Sequence, residues 1–197
     1  GKRDSTPPKL LLATPELKTT NFNSDIIELK FDEYVQVRDL ANQLVISPKL
    51  QTKPEVEADG KKVIIKLKKN ELQPNTTYRF YFGKAICDMH EANPLTNFTY
   101  LFSTGTYIDS LNLKGVITSA FLGAKEKDVV VGLYFNKNLS DSFAYKQTPD
   151  YVTITDAAGN FGISILSASE FRLVCFGNKN KDCMYNGADY ESLGFVK

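Results

Sequence analysis

The chain has 197 residues, of which 42% are hydrophobic and 24% charged, with a formal net charge of +1. This composition is typical of globular proteins and argues against wholesale disorder, and the small net charge argues against nucleic-acid binding. No apolar run approaches the roughly 20 residues that span a bilayer, and the length favours two domains of about a hundred residues each. Residues 1–8 are polar and end in Pro7-Pro8, which predicts a flexible tail.

Residues 9–105 contain short alternating segments separated by Pro, Gly and Asn turns, and they show no convincing helix. The clearest strands are residues 25–31 and 76–82, in which every second residue is apolar. The apolar residues are Ile27, Leu29 and Phe31 in the first strand and Tyr78, Phe80 and Phe82 in the second. Strands with one apolar and one half-polar face are typical of a β-sandwich.

A hairpin is expected around Asp59-Gly60, because both residue types accept positive φ in a two-residue turn. The following run, residues 61–69, places five lysines around four apolar residues. A membrane-surface or polyanion site is one interpretation of this run. We favour a strand with a solvated lysine face, in which Lys62 and Lys66 point away from the core and discourage edge-to-edge pairing.

Several motifs of the first half resemble the bacterial Ig-like domain of the S-layer-protein type. They are the segments TPP at residues 6–8, IELKFDEYV at 27–35, LQPNTTYRF at 72–80, the turn at 88–93 and FSTG at 102–105. One departure is Ala92, which stands where the family usually has Gly. The resemblance implies an Ig-like sandwich over residues 9–105, without known catalytic residues, of a kind found in exported and lipid-anchored proteins of Bacteroidetes.

The second half begins a new pattern after a joint at residues 106–110. It carries KGVI at 114–117, DVVVGLY at 128–134, YVTITDAAGNF at 151–161 and a further strand at 171–176. Asp156 to Gly159 is expected to form a hairpin turn between strands at 152–154 and 161–165. The order of these motifs resembles the transthyretin-like, carboxypeptidase-regulatory-type β-sandwich, although Ser169-Glu170-Phe171 departs from its usual G-x-Y. The resemblance implies a non-catalytic β-sandwich over residues 106–197.

The densest cluster of reactive side chains is Cys87, Asp88 and His90. A hydrolase would need these three groups to converge, with the thiol within hydrogen-bond reach of a base. They stand at a strand end and turn, where neighbouring residues point in different directions, and His90 is the only histidine. We therefore expect a hairpin corner in which Asp88 accepts hydrogen bonds from backbone amides.

A loop near the end of the chain has the ligand spacing of a calcium loop. Oxygen-bearing side chains stand at relative positions 1, 3, 5, 9 and 12, with a main-chain carbonyl at position 7. The six residues are Asn178, Asn180, Asp182, Met184, Asn186 and Asp189. With two carboxylates, and Cys183 at the position where glycine is usual, such a site would be weak. The alternative is a polar loop without metal, so no cofactor is expected beyond this calcium ion.

The cysteines Cys87, Cys175 and Cys183 form no CxxC pair. A bridge between Cys175 and Cys183 would require an oxidising compartment, whereas the spacing and odd number favour buried free thiols. A carbohydrate-binding module is the alternative function, and it would need exposed tyrosines because Trp is absent. The tyrosines available for it are Tyr107, Tyr134, Tyr145, Tyr151, Tyr185 and Tyr190.

These patterns predict two tandem β-sandwiches in a non-enzymatic module of the bacterial cell envelope. We expect an extracytoplasmic protein, at the cell surface or in the periplasm, whose export or lipoprotein signal has been removed. Its partner would be a protein or glycan at the cell surface. No nucleic acid is expected, and the membrane would be reached only through a lipid anchor.

Overall fold

Both halves of the chain are built from β-strands, which confirms the predicted fold class. The computed structural model describes residues 5–120, 122–136, 139, 143–177 and 193–195. The chain divides into two compact units, Gly1–Ile108 and Asp109–Lys197. Within the described ranges the α-helices are two single turns, Leu40–Gln43 (α1) and Phe143–Lys146 (α2). None of the helices described there is long and apolar enough to cross a membrane.

Over residues 5–108 the first unit has nine strands arranged in three antiparallel groups. The strands are β1 (Leu10–Thr14), β2 (Ile26–Phe31), β3 (Val35–Val37), β4 (Val45–Ser47), β5 (Glu55–Asp59), β6 (Lys62–Lys66), β7 (Thr77–Tyr81), β8 (Ile86–Asp88) and β9 (Thr99–Ser103). A four-stranded sheet has the order β1-β2-β6-β5, a three-stranded sheet has the order β4-β7-β9, and β3 pairs with β8. A single 3-10 turn, Lys69–Glu71, precedes β7.

The two larger sheets of the first unit share one apolar core. The predicted apolar faces of β2 and β7 are confirmed, since these side chains are at most 1% exposed: Ile27, Leu29, Phe31, Tyr78, Phe80 and Phe82. Phe102 of β9 is the aromatic centre of this core. Its ring centre lies 3.9 Å from that of Phe22 and 5.4 Å from that of Tyr78. Burial of each such side chain contributes roughly 1.5–3 kcal/mol to folding.

An early segment of the chain completes the three-stranded sheet by lying beside its last strand. Thr19 forms a parallel bridge with Phe102, and the Ser103 amide donates to the Thr19 carbonyl at 2.9 Å. The Phe22 amide donates in turn to the Ser103 carbonyl at 2.9 Å. The main-chain groups on this side of β9 are therefore paired with residues about eighty positions earlier in the sequence.

The hairpin between β5 and β6 is present, but its turn is one residue later than predicted. Asp59 pairs with Lys62, so the two turn residues are Gly60 and Lys61. Gly60 has φ 59°, and Asp59 keeps an extended conformation as the last residue of its strand. Because Asp59 is paired within the ladder, the turn begins at Gly60, a residue type that adopts positive φ without strain.

The lysine face of β6 is solvated, as predicted. Lys62 forms an ion pair with Glu28 at 2.8 Å, and Lys66 forms one with Glu57 at 2.7 Å. Val63 and Ile65, which alternate with these lysines, are fully buried. Exposed ion pairs of this kind contribute little to stability, but they neutralise the lysines on a surface that would otherwise attract anions.

Among its described residues the second unit has six strands in two sheets. The strands are β10 (Leu111–Val116), β11 (Val130–Phe135), β12 (Tyr151–Ile154), β13 (Asn160–Leu166), β14 (Phe171–Phe176) and β15 (Leu193–Phe195). A two-stranded sheet joins β10 to β13, and a four-stranded sheet has the order β12-β11-β14-β15. Every described pairing is antiparallel.

The four-stranded sheet carries a separate apolar cluster on each face, because β11 is apolar throughout. On one face Leu133 packs with Tyr151, Ile163 and Leu166, which brings β13 over the sheet. The residues of the other cluster are Val130, Tyr134, Phe143, Ala144, Val174 and Phe176, which places α2 over the opposite face. An alternating strand with two apolar faces is the pattern of a sheet covered on both sides.

The predicted hairpin between β12 and β13 is wrong. The turn itself exists, since the Asp156 amide donates to the Asn160 carbonyl at 3.0 Å. However, β12 pairs with β11 and β13 pairs with β10, so the turn carries the chain from one sheet to the other. Thr155 explains the divergence, because its amide donates to the Val129 carbonyl at 2.9 Å and thereby holds the end of β12 against the start of β11. The residues of a turn reverse the direction of the chain, but they do not determine which neighbouring strand the next strand pairs with.

Candidate functional site

The turn after β8 is built around one buried carboxylate. Oδ1 of Asp88 accepts hydrogen bonds from the amides of His90, Glu91 and Ala92 at 2.9, 2.6 and 3.1 Å, and Oδ2 accepts one from the Asn93 amide at 2.7 Å. Burial opposes ionisation of this side chain, but the four amide bonds outweigh it and lower the pKa of Asp88. The predicted backbone-capping role of Asp88 is confirmed.

The neighbouring thiol is not arranged as a nucleophile. Cys87 is 2% exposed and donates a weak hydrogen bond from Sγ to the Gln36 carbonyl at 3.9 Å. Burial raises the pKa of this thiol, which disfavours the reactive thiolate. His90 is exposed, and the Asp88 carboxylate that would have to orient it is occupied by backbone amides. The three groups therefore do not form the constellation that a hydrolase requires.

The second described cysteine is also buried and free, as predicted. Cys175 lies in β14, and burial raises its pKa to about 11. Its suggested bridging partner, Cys183, lies outside the described residues. The structure thus leaves Cys87 and Cys175 as packing residues of their units.

The calcium loop predicted from the sequence lies outside the described residues. Its six ligand positions are Asn178, Asn180, Asp182, Met184, Asn186 and Asp189, so the loop stays a prediction. In the part of the chain that the structure does describe, no group of three or more His, Cys, Asp or Glu side chains could hold a metal ion.

The tyrosines proposed for glycan binding lie in different environments. Tyr134 is fully buried and Tyr151 is 2% exposed, so both belong to the packed interior of the second unit. Tyr107 is 58% exposed. The side chains of Tyr145, Tyr185 and Tyr190 lie outside what the structure describes. Burial accounts for the aromatic residues of β11 and β12 without a ligand.

A groove of about 910 Å³ opens in the second unit between its two sheets. Most of its lining is apolar and comes from β10, β11, β13 and β14. The apolar lining residues are Leu111, Leu113, Leu133, Phe143, Leu166, Phe171 and Leu173. The polar lining residues are Asn112, Ser167, Ser169 and Arg172, of which only Arg172 carries a charge. Apolar clefts with a few polar groups are the usual form of binding sites.

The charged residue of the groove is held by an aromatic ring. The guanidinium carbon of Arg172 lies 5.3 Å from the ring centre of Phe143, and the Arg172 residue is exposed. A cation over an aromatic face is stabilised by the ring quadrupole while its N–H groups stay available to an anion. The arrangement therefore offers a positive, positioned group at the rim of an apolar cleft.

A buried hydroxyl lies behind the polar part of the groove. The Tyr151 hydroxyl has no hydrogen-bond partner among the described residues, although Ser167 is close enough to influence it. Ser167 instead donates from Oγ to the Ser169 hydroxyl at 3.1 Å. Burial raises the pKa of Tyr151 to about 12, with Ser167 opposing and Asp109 adding to the rise. No sequence pattern indicated this groove, because its walls come from separate strands that only the tertiary fold brings together.

Comparison with known proteins identifies the first unit. A family model described as the bacterial Ig-like domain matches residues 4–104, which is the part of the chain that contains the Asp88 turn and the aromatic core. No curated protein matches the chain. The matched region covers half of the sequence and agrees with the family named on its motifs. The chain therefore belongs to the bacterial Ig-like domain family.

Proposed function

We propose that the protein is a non-catalytic structural and interaction module of the bacterial cell envelope. The observation that carries this proposal is the Asp88 turn of the family-matched unit. There the Asp88 carboxylate accepts hydrogen bonds from four backbone amides, and the adjacent thiol of Cys87 is buried. The densest cluster of reactive side chains in the Ig-like unit therefore stabilises a turn of the fold, as is expected of a rigid spacer or scaffold.

For the second unit we propose a transthyretin-like sandwich over residues 106–197. Its support is the motif order found in the sequence and the two antiparallel sheets, which are joined through the corner at Asp156. We further propose that the protein acts outside the cytoplasm of a member of the Bacteroidetes, to which an export or lipoprotein signal would direct it. Its partner would be a protein or glycan at the cell surface.

Localisation is the direct test of this function. The full-length gene, carrying an epitope tag at its end, would be expressed in a Bacteroidetes host, and the cells would be fractionated and treated with external protease. We expect the tag in the envelope fraction. Recovery in the cytoplasm would overturn the proposal. A cytoplasmic protein of known localisation provides the lysis control.

Glycan binding is not supported as a second function, because two of its three described tyrosines, Tyr134 and Tyr151, are buried. Calcium binding by the loop at residues 178–189 remains a proposal with a simple test. Millimolar calcium would raise the melting temperature, and EDTA would reverse the rise. An unchanged melting temperature would dismiss the metal while leaving the envelope function intact.

A further inference from the structure

The four-stranded sheet of the first unit has two outer strands whose side chains differ in chemistry. Strand β5 lies at one end of the sheet and exposes three acidic residues, Glu55, Glu57 and Asp59. Strand β1 lies at the other end, and its sequence LLLAT carries no charge. Its residues Leu11 and Leu12 are 62% and 52% exposed. Since charged side chains protect an outer strand from pairing with another chain, β5 is protected and β1 is not.

The main-chain groups of Leu10 and Ala13 point away from the sheet. The Phe31 amide donates to the Lys61 carbonyl at 2.8 Å, so Phe31 directs its main-chain groups toward β6 and away from β1. Because this direction alternates along an antiparallel strand, Leu29 also bonds toward β6. These two residues are the partners of Leu10 and Ala13, respectively, in the β1–β2 register. Residues of such a pair turn their main-chain groups away from each other, and among all the strands that the structure describes only β2 pairs with β1.

The residues that flank β1 carry opposite charges. Lys9 precedes the strand and Glu16 follows it, and both residues are exposed. Neither forms an ion pair with any residue in the described ranges. Two β1 strands paired in antiparallel orientation about a two-fold axis would place the start of each strand beside the end of the other. Lys9 would then lie near Glu16 of the partner subunit at both ends of the contact.

A second copy of the chain fits the β1 edge better than it fits the β5 edge. Pairing β5 with β5 would place acidic residues of two copies side by side, which is repulsive. Pairing β1 with β5 would set leucines against carboxylates and would leave an open edge at each end of the assembly. Pairing β1 with β1 sets leucines against leucines and closes the contact after two copies.

We propose that two copies of the protein form a symmetric dimer by pairing their β1 strands. The two sheets become one continuous sheet, in which the outward main-chain groups of Leu10 and Ala13 bond across the axis. Leu11 and Leu12 are then covered by the partner subunit. A strand of a different protein would satisfy the same main-chain groups, but this chain itself supplies opposite charges at the two ends, which is why we favour a second copy. With five residues of β1 on each side the contact is small, so the dimer is weak.

Sedimentation velocity on the full chain, from about 5 µM to about 1 mM, would measure the association. We expect a reversible equilibrium between monomer and dimer with a dissociation constant of about 10–500 µM. The double variant Leu11→Lys/Leu12→Lys should weaken it at least about tenfold, because it places like charges across the axis. Ile154→Lys is the matched control in the second unit, since Ile154 is 47% exposed, and it should dimerise as the unchanged protein does. Circular dichroism of each variant establishes that it is folded.

Charge reversal tests the orientation of the two strands. Lys9→Glu and Glu16→Lys should each weaken the dimer by about three- to fivefold, because each places like charges together at both ends of the contact. The double variant Lys9→Glu/Glu16→Lys should restore the dissociation constant to within about twofold. A residue that acts only on the fold of its own subunit would not be rescued in this way.

Several outcomes would overturn the inference. A monomer at about 1 mM would leave the β1 edge to a different partner. A dimer that persists in Leu11→Lys/Leu12→Lys, or that is lost in Ile154→Lys, would place the contact elsewhere. Assembly beyond two copies, or no rescue by the double charge reversal, would contradict the symmetric pairing. Envelope localisation is measured independently of the oligomeric state, so failure of the dimer and failure of the envelope function are distinguishable.

Discussion

In the first unit the apolar faces of two sheets meet in one core centred on Phe102, whereas in the second unit one sheet divides its apolar residues between two faces. The first arrangement buries its aromatic rings almost completely. The second leaves half-buried residues such as Phe171 and Leu173 along an open groove. Among the described residues, the strands of the first unit therefore enclose one core, whereas those of the second line an apolar groove, which is the form of surface suited to binding.

The largest effect is expected from the centre of the closed core. Phe102→Ala should reduce the free energy of unfolding of the first unit by about 3–5 kcal/mol, because it leaves a cavity among four aromatic rings. Hydrogen exchange monitored by mass spectrometry would report each unit separately. Phe171→Ala, in the groove, should cost only about 1–2 kcal/mol. Equal losses would show that the two units are packed alike.

The two acidic turns offer a second comparison. Asp88→Ala should lower the melting temperature by about 5–10 °C, since it removes four amide hydrogen bonds from a buried turn. Asp156 accepts two amide bonds in an exposed turn, at 2.8 and 2.9 Å. Its replacement by Ala should cost about 2–4 °C. Differential scanning calorimetry measures both, and a larger loss for Asp156→Ala would contradict the assignment of Asp88 as the main turn anchor.

Acid should weaken the same turns. The amide bonds, acting against burial, lower the folded-state pKa of Asp88 below its ordinary value of 3.8, so its stabilisation is complete above that pH and is lost as pH falls through the folded value. The difference in melting temperature between the unchanged protein and Asp88→Asn should therefore shrink below about pH 4. A difference that stays constant from pH 7 to pH 2 would exclude ionisation of Asp88 as the cause.

A pair of buried tyrosines distinguishes a satisfied hydroxyl from an unsatisfied one. Tyr100 donates to the Pro15 carbonyl at 2.8 Å in the first unit, whereas the Tyr151 hydroxyl has no partner among the described residues of the second. Tyr100→Phe should cost about 0.5–1.5 kcal/mol in urea unfolding, while Tyr151→Phe should be neutral or stabilising. A comparable loss for Tyr151→Phe would reveal a hydrogen bond at that hydroxyl.

Alkaline unfolding provides an independent reading of Tyr151. Burial raises its folded-state pKa to about 12, from an ordinary value of 10.0. The contribution of the neutral phenol is therefore fully present below pH 10 and is lost as pH rises toward 12. Tyr151→Phe should lose less stability over this interval than the unchanged protein.

The smallest expected effect is a gain. Ala92 has φ 62° in the Asp88 turn, a conformation that costs an alanine roughly 1–2 kcal/mol. Ala92→Gly should stabilise the first unit by about 0.5–1 kcal/mol after the greater chain entropy of glycine is included. Ala58→Gly in the exposed strand β5 is the matched control and should destabilise by a similar amount. A loss in both variants would show that the turn tolerates the alanine without strain.

Local patterns were sufficient for the strands and for the Asp88 turn. The alternation in β2 and β7 depends only on the two-residue repeat, and an aspartate at a strand end has amides within reach along its own chain. The same patterns do not show which strands pair with one another. The corner at Asp156 has the sequence of a hairpin turn but joins two sheets. The groove at Phe171 is lined by residues of β10, β11, β13 and β14, which only the tertiary fold brings together. Neither property is contained in a short stretch of sequence.

The bridge between Thr19 and Phe102 has a consequence for synthesis of the protein. As the chain emerges from the ribosome, the segment around Thr19 has no place to attach until β9 and Gly105 have also been made. The Ig-like unit cannot finish its core gradually and must wait for nearly all of its length, a delay that accompanies topologies rich in distant contacts. If the protein is exported, as we propose, the Ig-like unit would pass through the export channel unfolded and would become rigid only after its last strand had crossed.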